Sequence, residues 1–409
     1  MKQKKSLIQK FKNMGPAAII ASAFIGPGTI TTSTVSGTNF QYAMLWAVVF
    51  SGIASIILMD ISSRVEAYSG LSVIETTMGM SDKKGWKRFV AIFMGLAILF
   101  TGLGFMAGNE IGAANGLADL TGLPVAATGI VVGVIAICTV VFGTPKLLEV
   151  VCQFFVVAMG VLFIITMFLS NPDWGAVARG IIPSLPEGSL VNCMGLIGTT
   201  IIAINLVYHS MGCQDKYHGD EGYADSKFDT RFNVILGVLM TLAIIITAGT
   251  VLYGTGTEIT NPVVFSQSLE PVLGSSARII GDLGLFLAGL SSSIATPYMA
   301  GMIIARLMGW GKEKDAWRKA FTCMLIVFGT VLACMGQTPT QIIIVTQALS
   351  GFFLPFIAIF FVISGNNKKM LGKHTNTKLQ NILGGIACAV TLAMGINMLI
   401  NNVILKLIG

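Results

Sequence analysis

The strongest constraint on the fold is a series of long apolar segments that runs through almost the whole chain. Eleven of them reach or approach the roughly 20 residues that an α-helix needs to cross a bilayer. They lie at residues 15–39, 42–66, 88–117, 123–142, 147–169, 190–214, 230–253, 276–308, 316–336, 340–364 and 380–404. Charged residues make up only 11% of the chain, against about 25% in soluble domains. The sequence therefore predicts an all-α integral membrane protein whose main partner is the lipid bilayer.

The basic residues indicate how these spans are oriented. With eleven spans, 23 of the 26 lysines and arginines fall on the side of the amino terminus, and only Arg179, Arg278 and Lys406 fall opposite. Since basic loops stay on the cytoplasmic side, we expect a multi-pass protein of the cell membrane with a cytoplasmic segment at residues 1–14 and an extracellular carboxy terminus. The scattered positive charge indicates no nucleic-acid partner, and the cysteines show no metal-site spacing.

The first span is interrupted in its middle by Gly26, Pro27 and Gly28. Proline lacks a backbone N–H and disfavours a helical residue before it, and glycine tolerates non-helical angles. A bilayer tolerates such a break only where protein or a cavity receives the unpaired backbone groups. Two interpretations stay open. One is a proline kink whose following threonines bond their own backbone; the other is a substrate site between two half-helices.

The sixth span carries a second irregular stretch, at residues 198–210, which includes Thr199 and Asn205. Polar groups at this depth are costly against lipid, so they should face the protein interior. The two irregular spans stand five spans apart, which is the pattern of two inverted five-helix repeats with a site at their interface. We assign residues 15–171 to the first repeat, 172–364 to the second repeat with the loop before its first helix, and 365–409 to a loop and the eleventh helix.

Several motifs in the same order resemble the NRAMP family of metal-ion transporters. They are Pro172-Asp173-Trp174-Gly175-Ala176-Val177 with Arg179-Gly180 and Pro183-Ser184-Leu185, Asn205-Leu206 with His209-Ser210, Gln347-Ala348-Leu349-Ser350 with Leu354-Pro355-Phe356, and Asn397 in the last span. The resemblance covers most of the chain. It implies a LeuT-type fold of two inverted five-helix repeats plus an eleventh transmembrane helix, and a secondary active transporter rather than an enzyme.

The departures from that family fall where it binds metal. Its first helix carries an Asp-Pro-Gly-Asn motif that supplies two ligands, but this chain has Gly26-Pro27-Gly28-Thr29. Ile202 stands where the family's metal-selecting Met belongs, and Asn109 where its third helix carries a proton-pathway Glu. None of the family's metal ligands is therefore retained at these positions, and we expect transition metals to bind weakly.

The first break offers features that suit an anion. The amino terminus of its second half-helix presents N–H groups, a partial positive charge and several hydroxyls. The expected substrate-binding residues are Gly26, Gly28, Thr29, Thr31, Thr199, Ile202, Asn205 and Gln347. This set favours a small anion or zwitterion such as bicarbonate, a short carboxylate or an amino acid.

A second set of residues is expected to couple transport to an ion. Asn109 and Glu110 lie in the third span, and Ser292, Ser293 and Thr296 lie in the eighth. The resemblance to the wider fold makes Na⁺ a candidate coupling ion at the three hydroxyls, although small residues also serve close helix packing. No other cofactor is indicated. Glu110 is the deepest acid, open to roles as a proton carrier, a cation ligand or a structural group. The remaining span carboxylates are expected near span ends: Asp60, Glu149 and Asp282.

Three functions are compatible with the sequence. The favoured one is a secondary transporter of a small anion or zwitterion, in a monomer. The alternative is a divalent metal cation transporter of the Mg²⁺ or Mn²⁺ type, with Glu110, Asn205 and Gln347 in a rearranged or more hydrated site. The third is a membrane scaffold or sensor that does not transport, against which the two broken helices argue.

Overall fold

A computed structural model describes residues 16–143, 145–259, 261, 263–270, 274–335 and 353–399. Its helices are α1 (Pro16–Phe24), α2 (Pro27–Phe40), α3 (Leu45–Ser69), α4 (Val73–Met78), α5 (Lys84–Thr121), α6 (Val125–Phe142), α7 (Pro145–Leu169), α8 (Trp174–Arg179), α9 (Leu190–Thr200), α10 (Ala203–Lys216), α11 (Gly219–Val251), α12 (Val264–Ser268), α13 (Ala277–Leu307), α14 (Asp315–Cys334), α15 (Phe353–Gly365), α16 (Lys368–Leu371) and α17 (Lys378–Leu399). The described residues contain no strand. The expected segment 1–14 and Gln347 lie outside them.

The helices match the predicted spans closely. Within the described ranges, seven helical stretches are long and apolar enough to cross a membrane, the broken stretch Leu190–Lys216 among them. Shorter apolar helices cover part of the fifth, tenth and eleventh predicted spans, at Val157–Leu169, Phe353–Gly365 and Lys378–Ala393. The all-α membrane architecture is thus confirmed.

Both predicted interruptions are present. α1 ends at Phe24 and α2 begins at Pro27, so the first span breaks at Ile25 and Gly26. In the sixth span, Ile201 and Ile202 separate α9 from α10, with ψ angles of 85° and 128° that no helix contains.

Each half of the first broken span packs against the opposite half of the sixth. α2 contacts α9, and α1 contacts α10. Because the second half of one broken span lies against the first half of the other, the two breaks fall at a similar depth in the bundle. α13 packs against the halves α1, α2 and α10, and it makes its most extensive contact with α5. The breaks are therefore enclosed by α5 and α13.

The break in the first span is held against α5 by close contact. A β-carbon on Gly112 of α5 would overlap the Cβ and Cγ atoms of Pro27. Only a residue without a side chain lets the proline ring approach the α5 backbone this closely. Pro27 therefore has two roles. It ends the helix before it, and its ring packs the break closely against α5.

The lipid-facing surface lies mainly on the outer helices. α6 and α7 expose branched and aromatic side chains, including Ile130, Val134, Phe154 and Val161. α2, in contrast, buries every residue from Pro27 to Thr38, among them seven serines and threonines. The polar residues of α2 are thus buried, and the exposed side chains of α6 and α7 are apolar, as expected for a protein whose solvent is lipid.

Candidate functional site

The break in the first span leaves α2 without a side-chain cap. Gly26 occupies the N-cap position with φ −97° and ψ 175°, and no side chain of a described residue caps the first N–H groups of α2. The Gly26 carbonyl accepts a hydrogen bond from the Ile30 N–H at 3.1 Å. The Thr29 hydroxyl reaches back across the break and donates to the Phe24 carbonyl at 2.6 Å. Thr29 therefore stabilises the break, which is the role that the kink interpretation gave it.

The hydroxyls further along α2 divide into two groups. Thr34 donates to the Ile30 carbonyl at 2.8 Å, so its proton is used within the helix. Thr31, Thr32 and Ser33 are buried, and their hydroxyls have no hydrogen-bond partner among the described residues. Buried polar groups are normally bonded. These three hydroxyls are thus free to serve a substrate or an ordered water.

Asn109 and two hydroxyls of α13 surround Gly26. A β-carbon on Gly26 would stand 2.8 Å from Oδ1 of Asn109 and 2.9 Å from Oγ of Ser292. The Asn109 amide donates to the Thr296 hydroxyl in a long contact of 3.5 Å. Ser292 and Thr296 are one helical turn apart and face the same side of α13. The structure therefore brings Gly26, Asn109, Ser292 and Thr296 together at the first break.

Glu110 lies on a different face of α5 from Asn109. Its Cγ is 2.7 Å from where a β-carbon on Gly329 of α14 would stand, so its side chain lies toward α14. Ser293 is its polar neighbour, yet neither carboxylate oxygen of Glu110, nor the Ser293 hydroxyl, makes a hydrogen bond to a described residue. The five expected coupling residues thus form two groups, and Ser293 belongs with Glu110 rather than with Ser292 and Thr296.

The break in the sixth span uses its threonines internally. Thr199 and Thr200 both donate to the Leu196 carbonyl, at 2.9 and 3.0 Å. Thr199 therefore has no free proton for a substrate. Ile202 is buried at the N-cap of α10, and its carbonyl accepts from the Leu206 N–H at 3.1 Å. Its side chain supplies no metal ligand.

Asn205 is the polar side chain in the first turn after this break. It is 1% exposed, and neither Oδ1 nor Nδ2 has a hydrogen-bond partner among the described residues. An amide buried without any partner loses its bonds to water and gains none in return, which costs about 1–3 kcal/mol. Asn205 therefore keeps both amide atoms unbonded among the described residues, and its predicted role in substrate binding stays a prediction.

The chemistry of these groups is that of neutral oxygen atoms. The breaks present the amides of Asn109 and Asn205 and the unbonded hydroxyls of Thr31, Thr32 and Ser33, and Glu110 adds one carboxylate on another face of α5. In the described part of the chain no three His, Cys, Asp or Glu side chains cluster as a metal site. The arrangement suits a hydrated or weakly coordinated ion better than a transition metal held by soft ligands.

Sequence reasoning missed a buried polar network between α3, α10 and α11. Glu66, at the end of the second predicted span, is fully buried and accepts a hydrogen bond from Ser210 at 2.6 Å. His209 bonds Ser62 and Thr230, both at 2.8 Å. The sequence did contain a signal for this network, because Glu66 falls at the last position of the second predicted span. A carboxyl group in that position indicates a buried polar partner.

Asp282 lies near the start of its predicted span, as expected. It is 0% exposed rather than solvated, and the Ser266 hydroxyl of the preceding segment donates to its Oδ1. The segment that contains α12 folds over the start of α13 and covers it. A span boundary drawn from hydropathy could not show that cover.

The broken, crosswise-packed half-helices around a buried polar site define a secondary transporter of the LeuT-type fold. The structure is similar to the Eremococcus coleocola manganese transporter, with a TM-score of 0.82 and 18% identity over 97% of this chain and 88% of that one. It is also similar to MhsT in complex with L-phenylalanine, with a TM-score of 0.62 and 14% identity over 93% and 98%.

Sequence comparison identifies the family. Residues 17–401 match the Nramp family, described as natural resistance-associated macrophage protein-like, and the chain belongs to it. A relative from Yersinia pestis (strain Pestoides F), named divalent metal cation transporter MntH, is 27% identical over 96% of this chain and 95% of its own length. The MntH of Deinococcus radiodurans is 24% identical over 93% and 88%. These relatives are transporters, and the chain is not an enzyme.

Proposed function

We propose that this protein is a secondary active transporter of a divalent cation of the Mg²⁺ or Mn²⁺ type, with a coordination site rearranged around the two helix breaks. Its relatives from Yersinia pestis and Deinococcus radiodurans carry the name of divalent metal cation transporters. A structural neighbour from Eremococcus coleocola is a manganese transporter. These comparisons favour the cation alternative over the small anion or zwitterion that the sequence alone favoured.

The proposal rests on the buried side-chain amide of Asn205. Its amide oxygen is an acceptable ligand for a hard cation, and it is buried with no protein partner among the described residues. It matches the Asn205-Leu206 motif by which the chain resembles its family. A neutral amide coordinates weakly, so the cation keeps part of its hydration shell, which Mg²⁺ sheds reluctantly.

Glu110 of α5 is a buried source of negative charge in the membrane-spanning part of the protein. It is fully buried, and no described residue bonds its carboxylate. A bare carboxylate at this depth is very costly. We assign it a coupling role in which it holds a proton or balances the charge of the cation. Na⁺ stays a candidate coupling ion beside Ser292 and Thr296.

The anion or zwitterion remains the second candidate, because the first break has features that favour it. The amino terminus of α2 lacks a side-chain cap, and Thr31, Thr32 and Ser33 keep hydroxyls that bond no described residue. Such a helix terminus attracts negative charge. A new negative charge at either break should therefore favour the binding of a cation and weaken the binding of an anion.

The test is uptake by purified protein in proteoliposomes, with Mg²⁺, Mn²⁺, bicarbonate and amino acids as cargo. For a cation, Asn205→Leu should raise the half-saturation concentration about tenfold, since one ligand contributes roughly 1–1.5 kcal/mol. Asn205→Asp should leave the half-saturation concentration unchanged or lower it. Asn192→Leu, a buried asparagine in the other half of the same span, is the control. Uptake of an anion but of neither cation would refute the cation proposal.

We further propose that the protein lies in the cell membrane with a cytoplasmic amino terminus. The support is the distribution of 23 basic residues against three across the predicted spans. Cysteine labelling from either side of the membrane tests this orientation, with single cysteines placed at Lys368 and Arg179. Labelling of both positions from the same side would overturn it.

A further inference from the structure

A basic cavity of about 380 Å³ lies between α10, α13 and α14. Met211 of α10 and Met302 of α13 form its apolar side. Met211 is nine residues beyond Ile202, or about 14 Å along the helix, so the cavity is distinct from the site at the breaks. The polar side is formed by Arg306, Trp310, Lys312, Lys314, Asp315 and Arg318.

The charges around this cavity do not balance. Four lining residues are basic and one is acidic, and that one, Asp315, is engaged by Arg318 at 2.7 Å and Lys319 at 3.4 Å. Lys312 and Lys314 are exposed, and neither forms an ion pair with a described residue. The cavity therefore carries an excess of positive charge, most of it on these two lysines.

The two arginines are held in place by other contacts. Arg306 pairs with Glu75 at 3.5 Å and with Asp215 at 3.8 Å, which joins α13 to α4 and α10. Arg318 lies over the Tyr298 ring, 5.9 Å from its centre, and its Nη1 is buried without a hydrogen-bond partner among the described residues. A guanidinium held in this way loses little freedom when it binds an anion.

We propose that this cavity binds the phosphate group of an anionic ligand. A phosphate offers several acceptor oxygens and one to two negative charges, which match two lysines and a fixed guanidinium. The amino terminus of the 20-residue helix α14 follows the lining loop directly, and helix amino termini favour such anions. A bound phosphate joins the loop between α13 and α14 to the end of α10.

The phosphate can come from a lipid headgroup or from a small solute. Met308 and Trp317 are sequence neighbours of the lining residues Trp310 and Arg318. They are 62% and 65% exposed, as side chains at a membrane interface often are. Basic pockets between transmembrane helices bind anionic headgroups. The test therefore has a lipid arm and a phosphate arm.

The experiment compares the double variant Lys312→Gln/Lys314→Gln with the double variant Lys368→Gln/Lys369→Gln, using the full chain. Both pairs are exposed, and both variants remove two positive charges. Native mass spectrometry measures retention of phosphatidylglycerol against phosphatidylcholine. Calorimetry measures inorganic phosphate at constant ionic strength.

We expect the first double variant to bind about thirtyfold more weakly, since each lysine near an anionic group contributes roughly a factor of five. The control should bind as the parent does. Loss of phosphatidylglycerol alone identifies a headgroup site, and loss of phosphate identifies a solute site. Equal binding by the two double variants and the parent in both arms would overturn the proposal.

Glu313 offers a variant that should act in the opposite direction. Its carboxylate folds back against Gly311, which lines the cavity. A negative charge at this position opposes a bound anion. Glu313→Gln should therefore strengthen binding in whichever arm the parent shows it, and weaker binding by this variant would count against the proposal.

Discussion

The Oδ1 atom of Asn109 lies 2.8 Å from the point where a β-carbon on Gly26 would stand. The Oγ atom of Ser292 in α13 lies 2.9 Å from the same point. In the family that the chain belongs to, the resemblance places an Asp at the position of Gly26 and a Glu at that of Asn109. If that placement holds, Asn109 and Ser292 occupy the space that an Asp side chain at position 26 would need.

Gly26→Asp should consequently fail to restore a metal site by itself. Aspartate is a good N-cap, but it is better than glycine there by only a few tenths of a kcal/mol. The displacement of two buried polar side chains costs about 1–3 kcal/mol. We expect a lower melting temperature in detergent and no gain in Mn²⁺ binding by calorimetry.

The double variant Gly26→Asp/Asn109→Ala removes the nearer obstacle. It should recover part of the lost stability and bind Mn²⁺ more tightly than the parent does. Gly26→Ala serves as the control for crowding without charge. A single Gly26→Asp variant that is as stable as the parent would show that the contact with Asn109 is not restrictive.

Gly112→Ala should be among the most damaging single-methyl changes in the protein. The new β-carbon would overlap the ring of Pro27 and push the break away from α5. Overpacking of this kind costs about 1–3 kcal/mol or more. Gly385→Ala in α17 meets no atom within 4 Å and should be neutral or stabilising by about 0.5–1 kcal/mol. Thermal unfolding of both variants in one detergent compares them, and equal melting temperatures would contradict the contact.

The positions of the breaks could be predicted from sequence because they depend on local chemistry. Gly26, Pro27 and Gly28 impose a break wherever they stand in an apolar helix. The partners of each side chain could not be predicted in this way. Asn109 and Glu110 are adjacent in sequence, but α5 turns one toward Gly26 and the other toward Gly329. Whether a threonine is free or bonded to a nearby carbonyl also depends on three-dimensional geometry.

Ser210→Ala should destabilise the buried network at the end of α10. The Ser210 hydroxyl donates to Glu66 at 2.6 Å and accepts from the Val73 N–H at 2.8 Å. Its removal leaves two buried groups unpaired, at a cost of about 1–3 kcal/mol for each. Ser291→Ala is the matched control, because that buried hydroxyl bonds the Ala288 carbonyl of its own helix. Unfolding measurements that fail to separate the two variants would contradict this reasoning.

Glu110→Gln should affect coupling more than cargo affinity. The carboxylate has no hydrogen-bond partner among described residues, so a proton or a cation must balance its charge. Glutamine is neutral and does not titrate. Uptake should therefore lose its dependence on pH, while the half-saturation concentration of the cargo changes little. Asp282→Asn, at a buried acid that Ser266 bonds, is the control. A pH profile identical to that of the parent would make Glu110 structural.

Gly28→Asp separates the two candidate cargoes most directly. Gly28 is buried in the first turn of α2, where a carboxylate is also favoured by the helix dipole. Two unit charges 4 Å apart interact by about 4 kcal/mol at an effective dielectric near 20, or roughly three orders of magnitude in affinity. For a divalent cation, the variant should bind as tightly as the parent or more so. For an anion, the affinity should fall by roughly three orders of magnitude. Gly28→Ala controls for crowding, and Mg²⁺, Mn²⁺, bicarbonate and amino-acid uptake into proteoliposomes is measured for all three proteins. Loss of cation uptake in Gly28→Asp, with uptake retained in Gly28→Ala, would rule out a cation site at this break.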